Sequence, residues 1–246
     1  MANWQDPRMT GVDAATVGVP RAARDAGLRS YMLSVYNYMA SGVLLTGIIA
    51  LLFAPYAGQV LIAPDGRGMS GLGWIVTLSP LAFVFAMSFG ANRMKTSTLQ
   101  LLFWGFAAVM GLSMSTLFLV FTGVSIAQTF FATAAAYLGL SVYGYTTKRD
   151  LSGFGTFLIM GVVGLLVAML INMFLQSSAM ALAISAIGVL LFAGLTAYDT
   201  QRIKSMYFYV QGTEMLGKSV VLGALTLYLD FINMFQFLLS FMGNRR

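Results

Sequence analysis

Residues 220–242 read VVLGALTLYLDFINMFQFLLSFM, an apolar run with an aspartate, Asp230, near its middle. A helix over this run is long enough to cross the hydrocarbon core of a bilayer, which is about 30 Å thick. A carboxylate at that depth costs about 2.5–3.5 kcal/mol on insertion scales, so by default it marks a functional site. The stretch therefore predicts a transmembrane helix and a functional position within it.

Six further apolar segments precede this run, at about residues 32–54, 72–90, 98–120, 126–147, 155–175 and 179–198. Only 9% of the 246 residues are charged, whereas soluble domains carry about 25%. The mean hydropathy is +0.82. We therefore predict an all-α membrane protein whose seven transmembrane helices form one domain over residues 30–246. Residues 1–29 are polar and lack an apolar core, which predicts a flexible cytoplasmic tail and not a signal peptide.

The residue types that are missing narrow the function. The chain contains no cysteine and no histidine, which excludes disulfides, thiol chemistry, His-ligated haem and His- or Cys-based metal sites. No resident cofactor is expected. The net charge of +6 comes from clusters beside the apolar segments, a placement that the positive-inside rule explains without nucleic acid. A response to pH near neutrality would have to come mainly from carboxylates in unusual surroundings.

The distribution of Lys and Arg predicts the orientation. Three of the 14 lie on one face, namely Arg67 and the terminal Arg245 and Arg246. The other eleven lie on the opposite face: Arg8, Arg21, Arg24, Arg29, Arg93, Lys95, Lys148, Arg149, Arg202, Lys204 and Lys218. This asymmetry places the N-terminus in the cytoplasm and, with seven crossings, the C-terminus outside. In the alternative, the last segment re-enters or fails to cross, and the C-terminus returns to the cytoplasm.

A second aspartate, Asp199, closes the sixth apolar segment in the run GLTAYDTQRIK (194–204). Consecutive spans joined by a short loop are antiparallel, and the midpoint between Asp199 and Asp230 falls inside the loop that joins the last two spans. Both carboxylates should then lie at similar heights if the sixth helix continues through Phe208. Two facing carboxylates cannot both ionise cheaply, so we predict a proton-responsive pair. The same two side chains are the candidate calcium ligands.

Neighbouring polar residues are candidate supports for this pair. Thr226, Asp230 and Asn233 share one face of the last helix at helical spacing. Thr196 precedes Asp199 by three residues on the sixth helix. Simpler interpretations stay open: Asp199 ends its helix in the solvated headgroup region, and Asp230 makes a structural hydrogen bond to another helix.

Two enzyme or receptor classes can be compared with the sequence. A retinal protein needs a lysine in the middle of its last span, but Lys218 lies at the edge of this one. An intramembrane aspartyl protease uses Tyr-Asp on one span and Gly-x-Gly-Asp on the next. Tyr198 and Asp199 fit the first half, whereas Asp230 follows Leu-Tyr-Leu. A protease is therefore a minor alternative, and we expect no enzymatic activity.

Three runs, GLTAYDTQRIK (194–204), LTLYLDFINMF (225–235) and SVYGYTTKRDLSGFG (141–155), resemble the Bax inhibitor-1, or transmembrane Bax inhibitor motif, family. The resemblance is strongest to bacterial inner-membrane members and extends from about Leu28 to Arg246. It implies a seven-helix fold in which the C-terminal helix is central and wrapped by the other six.

The resemblance also implies a function, a pH-sensitive calcium leak through the inner membrane. Asp199 and Asp230 match the family's proton-responsive pair, and Arg93 matches a basic residue that interacts with it at the end of the second span. Some bacterial members are instead linked to a membrane-anchored AAA protease. We therefore expect a cation leak gated by the carboxylate pair, with lipid and calcium or another cation as partners. The alternative is a non-conducting regulator or substrate of such a protease, with the N-terminal tail as its handle.

Overall fold

The computed structural model describes residues 21–65 and 68–246, with side chains from Asp25 onward. Most of the predicted tail over residues 1–29, and Arg67, lie outside the described residues. The described chain forms α1 (Arg21–Leu61), α2 (Gly71–Gly90), α3 (Thr96–Met114), α4 (Leu117–Val120), α5 (Gly123–Thr146), α6 (Ser152–Leu175), α7 (Ser178–Val210) and α8 (Met215–Met242). Seven spans in this part of the chain are long and apolar enough to cross a membrane, the third combining α3 and α4. The predicted fold class is confirmed.

Two helices extend beyond the apolar segments that predicted them. The first begins at Arg21, inside the segment assigned to the tail, and the sixth span continues from Ser178 to Val210. The extensions support each other because the rings of Tyr31 and Tyr207 are 5.4 Å apart and Gly27 lies against the Tyr207 hydroxyl. As a result, Asp199 lies inside a helix and not at its end.

Local hydrogen bonds explain where several helices begin and where the third span breaks. The side chains of three N-cap residues, Ser70, Thr122 and Ser177, each accept a hydrogen bond from a backbone N–H in the first turn of the helix that follows. These N–H groups have no carbonyl partner within their own helix, so the cap satisfies them. Between α3 and α4, the hydroxyls of Ser115 and Thr116 donate back to carbonyls three residues earlier, at 2.6 and 2.8 Å. Such bonds compete with the backbone ladder and bend helices.

The C-terminal helix is central, as the resemblance implied. Within α8, 56% of its most apolar stretch is buried in the protein, the highest share among the described spans. Its main neighbours are α1, α3, α5 and α7. Four helices, and not the expected six, therefore form the main contacts with α8, because α2 packs mainly on α3 and α6 packs on α7.

A buried tyrosine joins α8 to two of these neighbours. The Tyr228 ring meets Phe106 edge-on at 5.0 Å, and its hydroxyl lies 2.6 Å from that of Thr46. Because the Thr46 hydroxyl donates its one hydrogen to the Ala107 carbonyl at 2.8 Å, Tyr228 donates to Thr46. A polar chain thus links α8, α1 and α3 inside an otherwise apolar core.

The chain after α8 folds back onto the segment between α4 and α5. The Arg246 N–H donates to the Val120 carbonyl at 2.9 Å, and the Thr122 N–H donates to the Asn244 carbonyl at 3.1 Å. The Asn244 N–H donates to the Ser125 hydroxyl at 2.9 Å. These bonds fix the C-terminal residues against the end of the bundle.

Candidate functional site

The two predicted aspartates meet in the core. Asp199 on α7 is 7% exposed and Asp230 on α8 is 4% exposed. Their carboxyl groups lie close enough to share a side-chain hydrogen bond. An ionised carboxylate has no donor, so this bond exists only when the pair holds a proton.

The pair lies far from both ends of α8. Fifteen residues separate Asp230 from Met215 and twelve separate it from Met242, about 22 and 18 Å at 1.5 Å per residue. Asp230 is therefore near the centre of its span. The Asp230 Oδ2 atom is buried and has no hydrogen-bond partner among the described residues. Since unpaired buried polar atoms are costly, a proton shared with Asp199 is the compensation that the described residues offer to Asp230.

Two tyrosines from other helices border the pair. The Tyr137 hydroxyl on α5 lies within electrostatic range of both aspartates and of Tyr36, and it donates to the Leu227 carbonyl at 3.1 Å. Tyr36 on α1 shares a hydrogen bond of 3.4 Å with Thr200, the residue after Asp199. The Tyr137 hydroxyl on α5 therefore lies near both carboxyl groups, and the bonded hydroxyls of Tyr36 and Thr200 join α1 to α7 next to Asp199 in the sequence.

Among the described residues, Arg202 carries a positive charge that acts on Asp199. This residue is exposed one turn after Asp199 on α7, and its charge acts favourably on the Asp199 carboxylate. The sequence analysis assigned Arg202 only to the positive face. Its spacing of three residues from Asp199 on one helix is a signal that could have identified it.

The structure does not bring Arg93 to the pair. Arg93 is exposed in the turn after α2, beside Asn92, whose carbonyl accepts a 3.5 Å hydrogen bond from Lys218. Lys218 precedes Asp230 by twelve residues on α8, about 18 Å along the axis, which is beyond the reach of an arginine side chain. Arg93 therefore lies at the basic end of the bundle.

The three predicted supporting residues bond to their own helices. Thr196, Thr226 and Asn233 each donate to a carbonyl four residues earlier, at 2.8, 3.1 and 2.8 Å. None of these hydrogen bonds reaches an aspartate. The polar neighbours that the sequence analysis missed are Tyr36, Tyr137 and Thr200, and no local spacing could have shown that the two tyrosines come from distant helices.

The site lacks a complete set of calcium ligands. Nowhere among the described residues do three or more His, Cys, Asp or Glu side chains lie close enough together to hold a metal ion. Calcium takes six to eight oxygen ligands, so Asp199 and Asp230 would need hydroxyl, backbone or water oxygens to complete its coordination.

Comparison with known proteins identifies the family. The family described as inhibitor of apoptosis-promoting Bax1 matches residues 28–246. The inner membrane protein YbhL of Escherichia coli is 44% identical over 223 residues, which cover 90% of this chain and 94% of the relative. Uncharacterized protein RP147 of Rickettsia prowazekii is 46% identical over 225 residues, 90% of this chain and 92% of that protein. The chain belongs to the Bax inhibitor-1 family, which confirms the resemblance seen in the sequence.

Proposed function

We propose that this protein mediates a pH-sensitive leak of calcium or another cation across the bacterial inner membrane, with Asp199 and Asp230 as the gate. The observation that supports the proposal most directly is the contact between two buried carboxyl groups at the centre of the bundle. The name of the E. coli relative supports the inner-membrane location.

The pair can act as a gate because its contact depends on its charge. With a shared proton, one carboxyl group donates to the other and connects α7 to α8. Without that proton, two negative charges face each other, and at 4 Å with an effective dielectric constant of 20 their repulsion is about 4 kcal/mol. The repulsion favours separation of the two helices, and the same charges attract a cation. Protons and cations therefore compete for one site.

The test is cation flux into liposomes that contain the purified protein. Asp199→Asn and Asp230→Asn keep the size of the side chain and remove its charge. We expect each variant to abolish or strongly shift the pH dependence of calcium entry, because the remaining aspartate has no second charge to oppose it.

Asp150→Asn is the matched control. Asp150 is exposed in the turn between α5 and α6, so calcium entry through its variant should depend on pH as it does in the wild type. If calcium entry through Asp199→Asn and Asp230→Asn also keeps the pH dependence of the wild type, the pair is not the sensor and its role is structural.

The alternative function, regulation of or degradation by a membrane-anchored AAA protease, has its own supporting observation. Helix α1 has 41 residues, about 60 Å at 1.5 Å per residue, twice the thickness of a hydrocarbon core. Its first turns extend beyond the bilayer together with the end of α7, against which Gly27 packs. These paired helix ends offer a rigid surface for another protein.

Deletion of residues 2–20 separates the two functions. If the protein is a regulator or substrate of the protease, the deletion should change its degradation by the protease, or its effect on the protease, in cells. Calcium flux in liposomes should stay unchanged. Loss of calcium flux without any change in proteolysis would instead connect the N-terminal segment to conduction.

A further inference from the structure

A cleft of about 540 Å³ lies between α6, α7 and α8, at the end of the bundle where the chain terminates. Its rim is polar. Asn172 comes from the last turn of α6, Ser178 begins α7, Ser240 comes from the last turn of α8, and Arg245 follows α8 by three residues. Because all four lie at the ends of helices that span the membrane, the rim of this α6–α8 cleft is at the level of one membrane surface.

The deeper part of the α6–α8 cleft is apolar. It is lined by Met169, Ile184 and Phe237, which lie three to six residues from the rim residues of the same helices, about 5–9 Å farther from the membrane surface. Ser185 at this depth donates its hydroxyl hydrogen to the Ala181 carbonyl at 2.8 Å, so its donor is already satisfied. Polar groups at the surface with apolar groups below them match the order of the headgroup and acyl chains of a phospholipid.

Below its rim the cleft opens towards lipid. Met173 and Leu182, which line it, are 62% and 53% exposed, and such side chains on a membrane span face acyl chains that are as apolar as they are. Helix α6 buries 11% of its most apolar stretch within the protein, the lowest share among the described spans. A lipid can therefore enter the cleft sideways without leaving the bilayer, a path that is closed to a water-soluble ligand.

Arg245 gives the rim its charge. Its backbone pairs with that of Phe121 in an isolated β-bridge, and its guanidinium carbon lies 5.9 Å from the centre of the Phe121 ring, so the arginine is held at the rim. A guanidinium group binds phosphate oxygens through two parallel hydrogen bonds, and the Asn172 amide can donate a further one.

The rest of the rim favours an anionic headgroup over a zwitterionic one. The described residues that line the cleft include no Asp or Glu. No carboxylate there competes for the Arg245 guanidinium, and none offers a partner to the ammonium group of a zwitterionic lipid. The charge of the cleft is therefore complementary to a lipid whose only charge is its phosphate.

We propose that the α6–α8 cleft binds an anionic phospholipid, with the headgroup phosphate at Arg245 and Asn172 and an acyl chain against Met169 and Phe237. This lipid site goes beyond the proposed function, because binding in the cleft does not require conduction. A test that measures the bound lipid alone therefore stays decisive if the protein shows no cation flux.

Native mass spectrometry of the purified protein measures which lipids it retains. With added phosphatidylglycerol, or phosphatidylcholine of the same acyl chains, the wild type should retain more phosphatidylglycerol. Arg245→Gln should weaken this retention by about tenfold, the order expected for loss of a charge-assisted hydrogen bond. Arg246→Gln is the matched control, because Arg246 is also exposed but does not contribute to the described lining. Equal retention by Arg245→Gln and the wild type, or equal losses in both arginine variants, would overturn the headgroup site.

A second pair of variants tests the acyl chain. Ala181 lines the cleft, so Ala181→Phe should fill it and lower the retention of phosphatidylglycerol. Ala183 is exposed on the same helix outside the described lining, so Ala183→Phe should have no effect. Unchanged retention in Ala181→Phe would overturn the acyl-chain site.

Two further measurements on the wild type keep the test decisive if Ala181→Phe does not fold. Excess glycerol phosphate, which has the headgroup chemistry without acyl chains, should not displace phosphatidylglycerol. Phosphatidylglycerol with a photoreactive diazirine on one chain should cross-link to residues 169–184. Displacement by glycerol phosphate would indicate a site for a free anion and overturn the lipid assignment, and so would cross-links confined to α1–α5.

Discussion

An aspartate in the middle of a transmembrane helix needs compensation from its surroundings, and Asp230 receives it from another helix. Its contact with Asp199 replaces the water that both groups lose on burial. Such a contact stabilises the fold only while the charge of the pair is balanced by a proton or a cation. Under the proposed function, the residues that join the two core helices are also the residues that respond to pH.

The same pair permits a test of the protease alternative at the residue scale. Because Leu227, Tyr228 and Leu229 replace the Gly-x-Gly that should precede the second aspartate, we expect no cleavage of transmembrane peptides by the purified protein. Incubation with labelled peptides, followed by mass spectrometry, checks this expectation. Cleavage that disappears in Asp230→Asn would favour the protease over the leak.

Asp150 gives a prediction about pH and stability outside the spans. Hydrogen bonds from the side chain and backbone of Ser152 hold the pKa of Asp150 below its ordinary value, and the Ser152 N–H lies 2.9 Å from Oδ1. A lowered pKa in the folded state adds stability above the unfolded pKa, and this stability is lost as the pH falls through the folded pKa. The melting temperature of Asp150→Asn should therefore be slightly below that of the wild type at pH 7.

The difference in melting temperature should close as the pH falls through the lowered pKa of folded Asp150, because protonation then removes the charge at this position from the wild type. Melting in detergent over a pH series measures it. A gap that is constant or grows on acidification would contradict the assigned role of the Asp150 charge.

At the scale of helices, α5 and α7 approach closely where α5 has a glycine, Gly144, and therefore no side chain. A Cβ atom at Gly144 would collide with the backbone carbonyl of Ala197, two residues before Asp199. Since a backbone atom cannot move aside as a flexible side chain can, we expect Gly144→Ala to destabilise the protein by about 1–3 kcal/mol through overpacking.

Gly139 on the same helix is the control. A Cβ atom there meets nothing within 4 Å, so Gly139→Ala should be neutral or stabilising by up to about 1 kcal/mol, because alanine favours helices over glycine. Chemical denaturation in detergent compares the two variants. Equal effects would mean that the close approach at Gly144 is unimportant.

The helices also show which features sequence reasoning can reach. Length and hydropathy predicted all seven spans, and the spacing about the last loop predicted that Asp199 and Asp230 lie at one height. The extension of α7 past Asp199 could be stated only as a condition, because it depends on contacts such as that of Tyr207 with Tyr31. Tyr36 and Thr200 are 164 positions apart, so no local pattern could pair them.

For the molecule as a whole, the division of charge between the two faces predicts its orientation. Arg29, Arg93 and Arg202 belong to the face with eleven Lys and Arg residues, whereas Arg245 and Arg246 belong to the face with three. By the positive-inside rule the C-terminus should be outside the cytoplasm. A reporter enzyme fused after Arg246 should be active only if it folds in the periplasm.

A fusion at residue 148, in the basic turn after α5, is the control and should behave as cytoplasmic. Cytoplasmic behaviour of both fusions would exclude seven crossings and favour re-entry of the last segment. The backbone bonds from residues 244 and 246 to residues 120–125 make a flexible linker before the reporter necessary.

The central position of α8 has a consequence for biosynthesis. The ribosome delivers α1 to α7 to the membrane before it has made the helix on which α1, α3, α5 and α7 pack. In membranes, helices insert first and associate afterwards, so the earlier helices must wait in the bilayer with their inner faces uncovered. Asp199 on α7 then lacks both its carboxyl partner and the helix that covers it. A nascent chain that stops before residue 215 therefore exposes a polar defect to the lipid, a feature by which membrane quality control could distinguish unfinished copies from complete ones.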